Sequence, residues 1–177
     1  MPLYFIAVLP GEEIQQEVMA FKQYCCTHFG ACHALKSPPH ITLVPPHRWA
    51  EEVLPQLEEV LDLFALGQEP FEVELQDFAA FAPRVIYVDV SPNPSLRALH
   101  RHLLAKLERS MEFRDERAHR FHPHMTIAHR DLDRQAFRRA WAHFSLVEYR
   151  RRFTVDQLVL LEHRDKRWHI RRAFPFG

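Results

Sequence analysis

Two stretches, Pro39-His40-Ile41-Thr42-Leu43 and Pro123-His124-Met125-Thr126-Ile127, repeat one pattern: proline, histidine, apolar, threonine, apolar. On a β-strand successive side chains alternate between faces, so each copy sets a histidine and a threonine on one face and its apolar pair on the other. A lone His-x-Thr arises often by chance and usually marks a strand histidine satisfied by a nearby carbonyl. Five matched positions in corresponding places of the two halves do not fit that explanation. Imidazole changes charge near neutral pH, so two facing histidines suit general base and general acid work. A tetrahedral phosphate between them would meet a base on one side and an acid on the other, as an in-line displacement requires. One of His40 and His124 then takes a proton from the attacking oxygen and the other protonates the departing ribose oxygen, while Thr42 and Thr126 donate to the non-bridging phosphate oxygens. This chemistry asks for no metal and no cofactor.

Outward from the first copy, Leu3 to Leu9 reads as an apolar strand ended by Pro10-Gly11, and Glu12 to Phe29 as a helix closed by Gly30. Ala34 to Lys36 suggests a short edge strand. Ser37-Pro38-Pro39 then forces an extended approach to a strand over His40 to Val44, which Pro45-Pro46 ends. Glu51 to Leu66 has apolar residues at a helical period, and paired strands follow over Phe71 to Phe78 and Arg84 to Val90. Ser91-Pro92-Asn93-Pro94 is the natural seam between halves. Beyond it come a helix over Ser95 to Met111, a charged irregular stretch over Glu112 to Phe121 and the second histidine strand over His124 to Arg130. A helix capped by Asp131 runs to His143, and two strands cover Phe153 to Glu162 and Trp168 to Phe174. The approximate repetition predicts one bilobal domain over 1–177, with lobes near 1–90 and 91–177 and room for strand exchange between them.

Strand parity extends the second site. His124, Thr126, Ala128 and Arg130 share a face, so Arg130 can meet phosphate or ribose there, or else pair with a carboxylate such as Asp131. His122 has the same parity and is a candidate substrate contact. His129 points the other way, toward packing or the surface.

With 47% apolar residues the chain can bury a sizeable core. No apolar run approaches the roughly 20 residues of a membrane span, and Met1-Pro2-Leu3-Tyr4-Phe5 does not read as a secretory leader, so a cytoplasmic protein with no membrane partner is expected. Cys25, Cys26 and Cys32 are odd in number with no second cluster, which favours reduced thiols over a disulfide framework. The net charge of zero hides an asymmetry: residues 1–90 carry 4 Lys+Arg against 13 Asp+Glu, and residues 91–177 carry 19 against 10. Arg150, Arg151, Arg152, Arg164, Lys166, Arg167, Arg171 and Arg172 either gather as a phosphate-attracting surface or serve as solvated strand-edge charges. Overall neutrality argues against a protein that coats long nucleic acid.

The paired Pro-His-x-Thr-apolar motifs and the order of elements resemble the two-histidine (2H) phosphoesterase superfamily, in particular its bacterial 2′-5′ RNA ligase-like branch. The resemblance runs over most of the chain, from the first strand to the one holding Trp168. It implies an α+β fold of two pseudo-symmetric lobes, each an antiparallel sheet with outer helices, around a central cleft. It also implies metal-independent action on 2′,3′-cyclic phosphate or 2′-5′ phosphodiester bonds of RNA ends or small nucleotides, with His40, Thr42, His124 and Thr126 at the motif positions. Relatives often present an aromatic side chain to a base, for which Tyr4, Phe5, Phe81 and Phe121 all stand open. The first motif continues as Val44-Pro45-Pro46-His47-Arg48 where many relatives have a Phe-Leu-Gly type of sequence, which gives the pocket beside His40 its own shape. A monomer is expected.

Two rival readings compete. A metal-dependent hydrolase could draw on His122-x-His124 with His40, His119 or His129, but it lacks carboxylates at a recognisable spacing and leaves the paired threonines unexplained. A non-catalytic RNA-end or nucleotide binder would use the arginine-rich second half, yet phosphate binding alone favours Arg or Lys over paired histidines. Four glycines and no Gly-rich Lys-Ser/Thr loop disfavour nucleotide-driven ligation.

Overall fold

Eight strands form two four-stranded antiparallel sheets, and the sheets do not follow the halves of the chain. The computed structural model describes all residues, Met1–Gly177. Its elements are β1 (Leu3–Val8), α1 (Glu12–Phe29), a 3-10 turn (His33–Lys36), β2 (Ile41–Arg48), α2 (Leu54–Leu66), β3 (Phe71–Phe81) and β4 (Val85–Val90). They continue with α3 (Pro94–Met111), β5 (His124–Ala128), α4 (Arg134–Phe144), β6 (Arg150–Val155), β7 (Gln157–Arg164) and β8 (Arg167–Pro175). One sheet has the order β2-β1-β7-β8 and the other β5-β4-β3-β6.

The two halves of the chain exchange strands, for which the sequence left room. The β3-β4 hairpin from the first half builds the sheet beside His124, and the β7-β8 hairpin from the second half builds the sheet beside His40. Ser91-Pro92-Asn93-Pro94 is a helix start instead of a seam: the Asn93 side chain accepts from the Leu96 N–H, and Pro94 fills the first turn, where its missing N–H costs nothing. The stretch from Phe153 to Glu162 breaks at Asp156 into β6 and β7, one in each sheet. The helices divide between the sheets as well. α1 and α4 pack together and against β5 and β4, whereas α2 and α3 pack together and against β8, β7 and β2.

Local sequence explains the elements that frame the site. α1 ends where Gly30 turns left-handed (φ 70°), so that its N–H and that of Ala31 reach the Cys26 and Cys25 carbonyls. The same turn folds Cys32 back to within 4.3 Å (Cα–Cα) of Cys26, and the two are joined as a disulfide. This overturns the expectation of three reduced thiols, because the turn at Gly30 brings two of them together. Cys25 stays free and buried, and burial pushes its thiol up to about 12, which leaves it inert. Ala34 to Lys36, expected as a short edge strand, lie instead in the 3-10 turn His33–Lys36.

β2 does not stop at Pro45-Pro46. It runs to Arg48 because it is an edge strand and because one extra residue bulges there, with Ile6 opposite Val44 and Tyr4 opposite His47. One continuous apolar core joins both sheets and all four helices, including Tyr4, Ile6 and Val8 of β1. The alternate residues of β1 face the other way. Phe5 and Ala7, with Val159 and Leu161, form a small second cluster on the opposite face of the sheet, with Trp168 against it.

Candidate active site

The two motifs occupy equivalent places in the two sheets. Ile41 pairs with Val8, Thr42 with Ala7 and Val44 with Ile6; Met125 pairs with Val88, Thr126 with Tyr87 and Ala128 with Ile86. Each ladder slips by one residue at the same point, directly after the threonine. Both strands lie at a sheet edge, and β2 and β5 approach each other across the space between the sheets.

Each histidine is held by the same bond. His40 Nδ1 lies 2.6 Å from the Pro38 carbonyl, and His124 Nδ1 lies 2.6 Å from the His122 carbonyl. A carbonyl only accepts, so Nδ1 carries the proton on both rings and the neutral imidazoles share a tautomer with Nε2 free to accept. The approach to His40 is itself held from α1. Gln15 Nε2 donates to the Pro39 carbonyl at 2.8 Å, and Lys22 Nζ donates to the Ser37 and Ala34 carbonyls at 2.8 and 3.0 Å. Lys22 is only 1% exposed, and burial lowers its pKa to about 7. The approach to His124 is held from α3, where Arg97 Nη1 donates to the Phe121 carbonyl at 3.1 Å and the buried His100 stacks on the Phe121 ring, centroids 3.7 Å apart.

A cavity of about 430 Å³ opens between the motifs, a size suited to a small ligand. His40, Thr42 and Thr126 line it, together with His129, Arg130 and a rim of basic and aromatic side chains, and no carboxylate is among its lining residues. Phe5 packs on the His40 ring at 4.7 Å and Trp168 meets Phe5 edge-on at 4.6 Å, so the wall beside His40 is aromatic. Burial pushes the His40 imidazole down to about 3, with Lys22 and His124 adding to the shift against the bond to Pro38. Burial also lowers His124, helped by His122 and opposed by its backbone bond and Asp89.

The structure brings together His40, Thr42, Thr126 and Arg130 as lining of this cavity. His124 is not among the lining residues; its ring packs between Phe81 (5.2 Å) and Tyr87 (5.1 Å). His122 lies behind it, with Nε2 3.3 Å from the Tyr87 hydroxyl, so its backbone carbonyl is what serves the site. His129 corrects the parity reading. The residue bulged after Thr126 reverses the alternation of faces, which turns His129 into the cavity, 5.0 Å from His33, where burial first and then His33 and Arg130 lower its pKa to about 4.

Arg130 sits just past the strand with φ 61°, a conformation that costs a residue other than glycine about 1 kcal/mol. The cap of α4 is Asp133, whose Oδ1 accepts from the Ala136 N–H at 2.8 Å, and not Asp131 as expected. Asp131 instead latches the turn, its Oδ2 accepting from the backbone N–H groups of Cys32 (2.8 Å) and His33 (2.9 Å), which leaves Arg130 to the cavity. Most of the arginine-rich segments took the bland alternative. Arg151 pairs with Glu17, Arg152 with Glu74, and Arg171 and Arg172 with Glu58, so only Lys166 of that set reaches the cavity. The histidines considered as metal ligands do not assemble: no group of three His, Cys, Asp or Glu side chains converges on a point that would hold an ion.

Lys22 and His100 carried no signal in the sequence reading. Each sits on the inner stripe of its helix, where a lone polar residue in an apolar period is the hint that was available.

A sequence model described as the 2′-5′ RNA ligase superfamily matches residues 10–167. A protein of Oceanobacillus iheyensis named as a candidate phosphoesterase is 29% identical over 177 residues, covering 98% of this chain and 98% of its own. Among solved structures, TT0787 of Thermus thermophilus superposes with a TM-score of 0.70 at 22% identity, over 99% of this chain and 98% of that one. E. coli LigT complexed with 3′-AMP superposes with a TM-score of 0.67 at 20% identity, over 100% of this chain and 99% of that one. At these identities the structural likeness establishes the fold: two antiparallel sheets with outer helices around a cleft.

Proposed function

The chain belongs to the 2′-5′ RNA ligase superfamily as a phosphoesterase, and from that premise we propose that it acts on 2′,3′-cyclic phosphate or 2′-5′ phosphodiester bonds of RNA ends or nucleotides by two-histidine acid–base catalysis. The observation that carries this reading is the double equivalence of the site: matched register, matched threonine and matched Nδ1 bond on both sides. In hydrolysis of a cyclic phosphate, one Nε2 accepts the proton of the attacking water as its oxygen bonds to phosphorus. The other imidazole, protonated at the start, gives its proton to the ribose oxygen as that P–O bond breaks. One proton enters and one leaves, so the pair ends with its charges exchanged. Thr42, Thr126 and Arg130 are assigned to the non-bridging oxygens. The capture of 3′-AMP by LigT supports a ribose phosphate in a cleft of this fold.

The test is hydrolysis of adenosine 2′,3′-cyclic phosphate and of a short RNA ending in one, with chelator present, by the wild type, His40→Ala and His124→Ala. Turnover by the wild type, abolished by either substitution in folded protein, is the expected result. Turnover that survives loss of one histidine overturns the mechanism, and no turnover of either substrate overturns action on cyclic phosphates.

A further inference from the structure

The lining of the cavity holds more positive charge than one phosphodiester requires. Thr42, Thr126 and Arg130 already suffice for the single negative charge of the scissile group. Lys36, Lys166, His33 and His163 line the cavity as well, and no carboxylate is among its lining residues. These residues come from two separate segments, the 3-10 turn at His33–Lys36 and the tip of the β7-β8 hairpin. A bond ties the two, as Arg167 Nη1 donates to the Leu35 carbonyl at 3.5 Å. Burial, then Arg130 and Lys36, lower the pKa of His33, with His163 adding to the shift against Asp131, as groups gathered in one place do.

Lys166 reaches the rim at a cost. The hairpin turn needs positive φ at both central residues, which asparagine and glycine adopt easily, yet here Asp165 (φ 52°) and Lys166 (φ 62°) fill it. Trp168, two residues further on, is half-buried and forms the wall between this rim and His40, resting on Phe5 and His163. Basic side chains tracking a backbone past an aromatic face are the usual means of holding a single-stranded nucleic acid.

Building on the proposed phosphoesterase reading, we infer that Lys36 and Lys166 form a second phosphate subsite, so that the substrate carries a further phosphate on the far side of the nucleoside held beside His40. The substrate class is then an oligonucleotide end or a 5′-phosphorylated nucleotide, and a cyclic mononucleotide with one phosphate is a poor fit.

The subsite is tested by binding, apart from turnover. Three inert probes are titrated into wild type and into the Lys36→Ala/Lys166→Ala double variant: 3′-AMP, the dinucleotide ApAp, and adenosine 3′,5′-bisphosphate. With the wild type, ApAp is expected to bind about tenfold or more tighter than 3′-AMP, with a salt dependence steeper by about 0.7 in the log–log slope for the added phosphate. Both gains vanish in the double variant. If adenosine 3′,5′-bisphosphate gains as much as ApAp, the phosphate alone is recognised; if only ApAp gains, the neighbouring nucleoside is needed too; either result supports the subsite. ApAp binding no tighter than 3′-AMP, or a gain that persists without the two lysines, overturns it. The two surface lysines carry no core packing, and circular dichroism of the variant checks that it is folded. A binding gain without hydrolysis of any cyclic phosphate would sink the cyclic-phosphate reading and leave this one standing.

Discussion

Opposite Thr42 the neighbouring strand places Ala7; opposite Thr126 it places Tyr87. Backbone register is the same on the two sides, and so is the 2.6 Å bond that fixes each histidine. Yet the small residue leaves an open, aromatic-walled cavity beside His40, whereas Tyr87, Phe81 and His122 close around His124. Proton transfer in both directions needs two like groups, which the repeated backbone supplies. Recognition needs one side to hold the bulk of the ligand, and side-chain size supplies that difference.

The strongest way to break the comparison is to remove the groups held in common. His40→Ala and His124→Ala should each lower kcat by about 10² to 10⁴, and the double substitution should cost little more than either, because the pair works as a unit. A rate assay on all three variants decides this, and an additive double loss would mean that the histidines act separately. The pH dependence comes next. Burial lowers both imidazoles, and the reaction needs one of them protonated, so kcat/KM should fall as pH rises from about 6 to about 8, approaching tenfold per pH unit. A flat profile across that range would contradict the lowered pair. Thr42→Val and Thr126→Val should each cost about 10 to 10² in kcat, and similar losses would extend the equivalence of the two sides from register to chemistry.

Smaller effects should separate the two sides. Lys22→Met leaves a buried and a part-buried carbonyl without a donor and should lower stability by about 1–3 kcal/mol in chemical denaturation, with a several-fold loss of kcat as Pro38 loosens. Arg97→Ala, which frees a more exposed carbonyl, should cost under about 1 kcal/mol. Equal losses would erase the distinction between a buried and a wetted support. His129 is lowered to about 4 in the folded state against about 6.5 unfolded, so between those values the unfolded chain binds more protons and stability rises with pH. Its contribution is present above about pH 6.5 and drains away below it. Denaturation should show a loss on going from pH 7 to pH 5 to which His129 contributes about 1 to 2 kcal/mol and the likewise lowered His40 adds, so that His129→Gln reduces the loss without abolishing it.

The paired motifs and the ends of α1 were legible because each rests on a local rule: side-chain alternation, proline and glycine punctuation, helical period; the α+β class followed from the family resemblance that the motifs carry. What escaped the reading was what depends on neighbours. The pairing of Phe71 to Phe78 with Arg84 to Val90 was legible, but strand pattern does not say which sheet a hairpin joins, so the exchange for which there was room could not be assigned to these hairpins. A bulge is invisible in a five-residue motif, yet it decides that His129 faces the cavity. Arg130 was found by parity, although it reaches the site through a left-handed turn past the end of the strand.

The exchanged hairpins bear on how the molecule comes into being. β1 pairs with β7 across more than 150 residues, so the sheet under His40 cannot close until residues 157–175 are available, however early β1, α1 and β2 leave the ribosome. Contacts of such long span slow folding, and they make acquisition of the fold an all-or-nothing event with respect to catalysis. A chain severed between Ser91 and Asn93 would yield two pieces, each with one histidine strand and neither with a whole sheet. Function would return only if the pieces found each other and traded hairpins.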